Sequence, residues 1–274
     1  MFDLLIHATN YSSPTNGMRC AAQLANLLGG SVTGIFISEP IIPIGPAGIA
    51  PVAPAMYVAA AQIVEEARQA EPVFQRWATG QGIAKFRWQV ASGMFSSALA
   101  SAANWHDAVV FDCGSSTPWN SVGLLGQALV SCGAPCFVVP ETFAKAMSLD
   151  TIVVASHGSP EAIRAVHAAL PLLARAKRVV LVKGRPAGLF SPVDFRPAFT
   201  VEDHLQRHGI AFDTRVLDAT DKRTGAEILG AAEEVAADLL VMGAYGHTRF
   251  SEWALGGVTR HALEHARLPL FVRH

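Results

Sequence analysis

DLLVMGAYGHTRFSEWALGGVTR, residues Asp238 to Arg260, is the stretch whose reading decides the fold. Its apolar run, Leu239 to Met242, stops at Gly243; Gly246 follows, then nine residues, then Gly256 and Gly257 at the start of a helical pattern. That order predicts a strand, a glycine-rich loop and a helix. Glycines after a strand let the backbone turn sharply and approach a ligand, and a helix start leaves N–H groups free to face an anion. The chemistry is phosphate binding by the main chain. Two common fingerprints do not fit: Gly243 and Gly246 lie three apart, unlike the dinucleotide G-x-G-x-x-G, and no Gly-Lys-Ser/Thr closes a P-loop.

Working outward, short apolar runs alternate with helical patterns along the whole chain. In the second half, strands are expected at Thr151–Ala155, Arg178–Val182, Phe212–Leu217, Leu239–Met242 and Leu270–Val272, with helices between them and a Pro/Gly-rich loop from Gly184 to Pro197. The first half has the same order, with a long loop at Ile41–Pro54 followed by one long helix from about Met56 to Thr79. Phrases repeat too. Asp107-Ala-Val-Val-Phe answers Asp238-Leu-Leu-Val-Met, and Ala134-Pro-Cys-Phe-Val-Val answers Leu268-Pro-Leu-Phe-Val-Arg. The expected fold class is α/β: two tandem open parallel-sheet, Rossmann-like domains, residues 1–144 and 145–274, joined near Pro140–Asp150. In open sheets of this kind ligands bind beyond the carboxyl ends of the strands, where the glycine loop lies.

Composition narrows the function. The 274 residues are 51% apolar and only 16% charged, with a net charge of −1, so large-scale disorder and a nucleic-acid partner are both disfavoured. The amino terminus shows no signal-peptide pattern, and the most apolar segment, Ile37 to Ala61, is broken by Pro and Gly; a cytoplasmic protein with no membrane partner is expected. The four cysteines, Cys20, Cys113, Cys132 and Cys136, complete no zinc or thioredoxin pattern and read as reduced, packed thiols.

Gly243-Ala-Tyr-Gly246, nine residues, then Gly256-Gly257 resembles the nucleotide motif G-x2-G-x9-G-[S/T] of the universal stress protein family. The resemblance is strong over 151–274 and weak over 1–140. It implies an adenine nucleotide (ATP, ADP or AMP) held by backbone N–H groups at Gly243, Gly246, Gly256, Gly257 and Val258. His247 and Arg249 would lie beside the phosphates, and Ala155 and His157 near ribose and base. It also implies that the last strands of the two copies pair in an intramolecular pseudo-dimer, with homodimerisation and an unidentified protein partner as further expectations. The sequence departs from the motif in two places. Gly257 replaces the final Ser/Thr, and Thr259 lies roughly 200° further around the helix; His157 stands where an acidic residue is expected. The first copy departs further: its loop, Asp112 to Trp119, is three residues shorter, and only Gly123 falls where Gly257 would.

The remaining constellations carry less. His261 and His265 lie one helical turn apart without a third ligand, so no metal site is read there. His247 either faces a phosphate or is a solvated loop side chain, and Arg260 reads as a surface salt bridge. Trp253 reads as a packing residue. No G-x-S-x-G occurs, and Glu252 is the one carboxylate on the glycine loop, so neither a catalytic base nor a dedicated Mg²⁺ ligand is evident. The function expected is a stress-response sensor or regulator with little catalysis. A slow ATP hydrolase or phosphotransferase, and a nucleotide-free interaction module, are the alternatives.

Overall fold

A computed structural model describes residues 2–8, 14–39, 44–45, 48–49, 54–113, 119, 121–184, 199–218, 223–245 and 256–274. The chain divides into two compact units, 1–112 with 131–134, and 113–130 with 135–274. Among the described residues, no helix is long and apolar enough to cross a membrane.

In the first unit β1 (Asp3–His7) leads into α1 (Asn16–Leu28), then β2 (Ser31–Ser38) and a two-residue hairpin, β3 (Ile44–Gly45) with β4 (Gly48–Ile49). The chain continues through α2 (Pro54–Gln69), α3 (Glu71–Gly80), β5 (Phe86–Ser92), α4 (Phe95–Ala103) and β6 (Ala108–Cys113). The sheet order is β6-β1-β2-β5, all parallel. Thr15 starts α1 by accepting a hydrogen bond from the Met18 N–H at 3.2 Å, and Gly29 ends it in the left-handed region at φ 63°, where a side chain would be strained. One expectation is corrected. The helix predicted from Met56 to Thr79 is two helices, broken at Ala70 because Pro72, near the start of α3, has no N–H to continue the ladder. The Ile41–Pro54 loop also holds the small hairpin, and the rest of that loop lies outside the described residues.

The second unit takes α5 (Val122–Ser131) and β7 (Cys136–Pro140) from the first half of the chain. It continues with β8 (Thr151–Ala155), α6 (Pro160–Leu173), β9 (Arg178–Gly184), α7 (Val201–Arg207), β10 (Asp213–Leu217), α8 (Thr224–Glu234), β11 (Leu239–Gly243), α9 (Gly257–His265) and β12 (Leu270–Arg273). Its sheet runs β10-β9-β8-β11-β12-β7; the first five strands are parallel and β7 lies antiparallel on β12. The last strands of the two sequence repeats thus pair, Phe271 opposite Phe137, with rings 4.8 Å apart. Ile152, Val153, Val154, Leu240 and Val241 are fully buried, the mark of a sheet covered on both faces.

The repeat extends to hydrogen bonds. Asp107 accepts from the Asp3 N–H at 2.7 Å, and Asp238 accepts from the Thr151 N–H at 2.8 Å. Each aspartate ties the first strand of its repeat to the strand that precedes the loop of interest.

Candidate functional site

The sheet order of the second unit places its switch point between β8 and β11. The crossovers through α6 and α7 step one way from β8, and those through α8 and α9 step the other way, so right-handed connections put the two pairs on opposite faces. A crevice at the carboxyl ends of β8 and β11 follows from that arrangement. Ala155 and Met242 are register partners there, which sets Ala155 beside the strand end that leads into Gly243. Ala155 is buried and His157 is exposed.

Gly243 is glycine for a reason its sequence context does not show. A Cβ there would stand 2.5 Å from the Ala162 backbone nitrogen and 2.7 Å from the Glu161 carbonyl carbon, so the close approach is to the start of α6. The turn beyond β11 then uses a non-glycine residue. Tyr245 has φ 60°, a conformation that costs a residue of its type about 1–3 kcal/mol and that collects at functional loops. Its hydroxyl is shielded and finds no hydrogen-bond partner among the described residues, and burial pushes its pKa up. Gly246, His247 and Arg249 lie outside the described residues, as do Glu252 and Trp253.

Gly256 and Gly257 open α9. Gly256 is the N-cap, at φ −53° and ψ 129°, with no side-chain cap hydrogen bond. Both glycines are exposed and have open space where a Cβ would project; Val258 follows, half-buried. The first-turn N–H groups of α9 have no intrahelical partner, and they sit at the positive end of the helix dipole. Thr259 is buried in α9, and Arg260 is paired with Glu264 at 2.8 Å. His261 and His265 stack on each other with ring centroids 4.3 Å apart; among the described residues no cluster of three or more His, Cys, Asp or Glu could hold a metal ion.

A pocket of about 570 Å³ opens beside this crevice. The turn after β8 supplies Ser156, His157 and Gly158; α6 supplies Ile163, Val166 and His167; Lys183 and Gly184 come from the end of β9. Its far wall is the start of α7, fixed by a capping box. The Thr200 hydroxyl accepts from the Asp203 N–H at 3.1 Å, and the Asp203 carboxylate accepts from the Thr200 N–H at 2.8 Å. That backbone N–H bond comes first in holding the Asp203 carboxyl below its ordinary range. Glu202 pairs with Lys183: burial pushes its carboxyl up, but hydrogen bonds from Lys183 and the backbone outweigh it and the net shift is downward. The Arg207 guanidinium lies 4.0 Å over the Phe199 ring. His204 packs between His167, at 4.0 Å between ring centroids, and His208, at 4.7 Å. Burial lowers the basicity of His204, and the neighbouring His167, His208 and Arg207 lower it further.

Apart from His157, these pocket residues are absent from the sequence-based site. Thr200-x-x-Asp203 is a readable helix start, and His204 with His208 is a readable one-turn pair. His167 carried no such signal.

In the first unit, Asp112 occupies the position that matches Gly243. The glycine is on the other side of the contact, at Gly17 in α1, whose Cβ would meet the Asp112 carboxylate at 2.8 Å. Buried Asp112 accepts from the Thr15 hydroxyl and the Gly17 N–H, filling the start of α1 with a side-chain carboxylate. The loop that follows, 114–118, lies outside the described residues.

Comparison with known proteins agrees with this geometry. Residues 148–274 match the model of the universal stress protein family. No curated protein matches the chain. Among solved structures, a universal stress protein from Archaeoglobus fulgidus DSM 4304 is 15% identical, with a TM-score of 0.68, over 99% of this chain and 95% of its own. A functionally unknown protein from Pseudomonas aeruginosa PAO1 is 11% identical, with a TM-score of 0.56, over 99% of this chain and 92% of its own. At these identities the likeness is one of fold. Residues 148–274 therefore match the universal stress protein family, and the chain has from end to end the fold of a solved universal stress protein.

Proposed function

We propose that the second unit binds an adenine nucleotide, with its phosphates at the start of α9 and its base toward the pocket beside β8 and β9. One observation carries this reading: α9 begins at two exposed glycines with no side-chain cap, close in sequence to the carboxyl end of the strand at the switch point. Gly243, Gly246, Gly256, Gly257 and Val258 supply main-chain donors, His247 and Arg249 stand beside the phosphates, and Ala155 and His157 flank the sugar and base. Residues 1–144 form a copy without a nucleotide, its helix start already satisfied by Asp112. Nucleotide occupancy then serves a stress-response sensor or regulator in the cytoplasm, read out through a protein partner or a second copy of the chain. No catalytic residue is assigned.

The test is Gly256→Asp. An aspartate at an N-cap stabilises a helix over glycine by a few tenths of a kcal/mol, with about 0.3–1 kcal/mol more from the dipole. It also places a negative charge where a phosphate would sit. The variant is expected to unfold at a higher urea concentration than the parent while calorimetry shows ATP and ADP binding lost. Unchanged binding in the stabilised variant would refute the placement of the phosphates.

A further inference from the structure

Helix α7 is fastened by an apolar contact and by ionisable ones. Leu205 is fully buried. Glu202 reaches Lys183 of β9, and the His204 ring packs on His167 of α6 with centroids 4.0 Å apart. With His208 on the other side, three imidazoles stand in a row, and α7 adds the Arg207 guanidinium. The carboxylates around them are engaged: Glu202 with Lys183, Asp203 with the Thr200 N–H, and on α6 Glu161 with Arg164. The His204 Nε2 is covered by protein and has no hydrogen-bond partner among the described residues.

We infer that α7 is an acid-released wall: it rests on α6 while His204 is neutral and comes away when His204 gains a second ring proton. The device does not depend on what the pocket holds. A neutral imidazole carries one N–H, so Nε2 can stay a bare acceptor. Imidazolium carries two, and the proton on Nε2 would be a covered donor on a charged ring, with no acceptor. The new charge would also face His167 across the contact. His208 and Arg207 travel with α7, so the cover over Nε2 and the His167 ring are what docking adds. Burial comes first in lowering the basicity of His204, followed by His167, His208 and Arg207. The sign follows. Undocked α7 binds the proton better, so docking is fully present well above pH 6.5 and is lost as the pH falls below it. Glu202, whose carboxyl is shifted downward, keeps its charge toward Lys183 across that range, and Leu205 opposes release at every pH.

The experiment is amide hydrogen exchange on the full chain at pH 7.5 and pH 5.0, expressed as protection relative to the unfolded rate at each pH. The proteins are the parent and His204→Phe. Phenylalanine keeps a ring against His167 and cannot take a proton. Between the two pH values, protection of α7 is expected to fall about five- to tenfold further in the parent than in His204→Phe, while β8 keeps its protection in both. An equal change of α7 in the two proteins would overturn the inference, as would unchanged protection of α7 in the parent. A parallel loss in β8 would mark unfolding of the whole unit and overturn it too. An NMR titration of the parent is the second reading, and it decides the matter if His204→Phe leaves α7 unprotected at both pH values. His204 titrating below pH 6.5 would support the device, and His204 titrating at or above 6.5 would overturn it.

Discussion

His7 makes the first unit acid-sensitive in a window where few other groups titrate. It ends β1, is 5% exposed, and sits edge-on to Phe95 with ring centroids 5.0 Å apart. Burial lowers its pKa from 6.5 to about 4. A base whose folded-state pKa is depressed binds its proton better in the unfolded chain, so the stability is fully present above pH 6.5 and is lost as the pH falls toward 4. Linkage with these two values gives a loss of about 2 kcal/mol at pH 5, approaching about 3.4 kcal/mol below pH 4. The assay is urea unfolding at pH 7.5 and pH 5.0, followed by tryptophan fluorescence; Trp77, Trp88 and Trp105 report on this unit. His7→Leu is the control. It cancels the contribution of His204, whose depressed basicity acts with the same sign in the same window. The parent is expected to lose about 2 kcal/mol more than His7→Leu between the two pH values. Equal losses, or an NMR titration placing His7 near pH 6.5, would refute the reasoning.

The other expected outcomes are these. Gly243→Ala forces a Cβ to within 2.5 Å of the Ala162 nitrogen, so β11 and α6 must separate; a loss of about 1–3 kcal/mol is expected in urea unfolding. Asp112→Ala removes the acceptor for Thr15 and Gly17 at the start of α1 and should cost about 1–3 kcal/mol, seen as faster amide exchange in that first turn. Gly256→Asp should raise stability in urea unfolding while abolishing nucleotide binding in calorimetry.

Much of this fold is legible in the amino-acid order. The alternation of apolar runs with helical spacing gives the parallel sheets, and the Asp107 and Asp238 phrases give the repeat because each aspartate performs the same hydrogen bond. What escapes the sequence depends on neighbours distant along the chain. Gly243 reads as a ligand-facing glycine until Ala162, from another element, is seen to lie against it. The break at Ala70 is signalled by Pro72, yet the helical spacing on both sides hides it. The pocket is least legible. His167 and His204 belong to separate helices, and only the crossover through β9 brings their rings to 4.0 Å.

The antiparallel seam between β7 and β12 bears on how the protein can be cut. The family match begins at residue 148, after β7 has ended at Pro140. Excising the matched segment at that border would strip β12 of the strand that consumes its outward N–H and carbonyl groups, leaving Phe271 without the ring it packs against. Such a fragment would present a bare, adhesive flank, and its readiest cover would be the same flank of a sibling molecule.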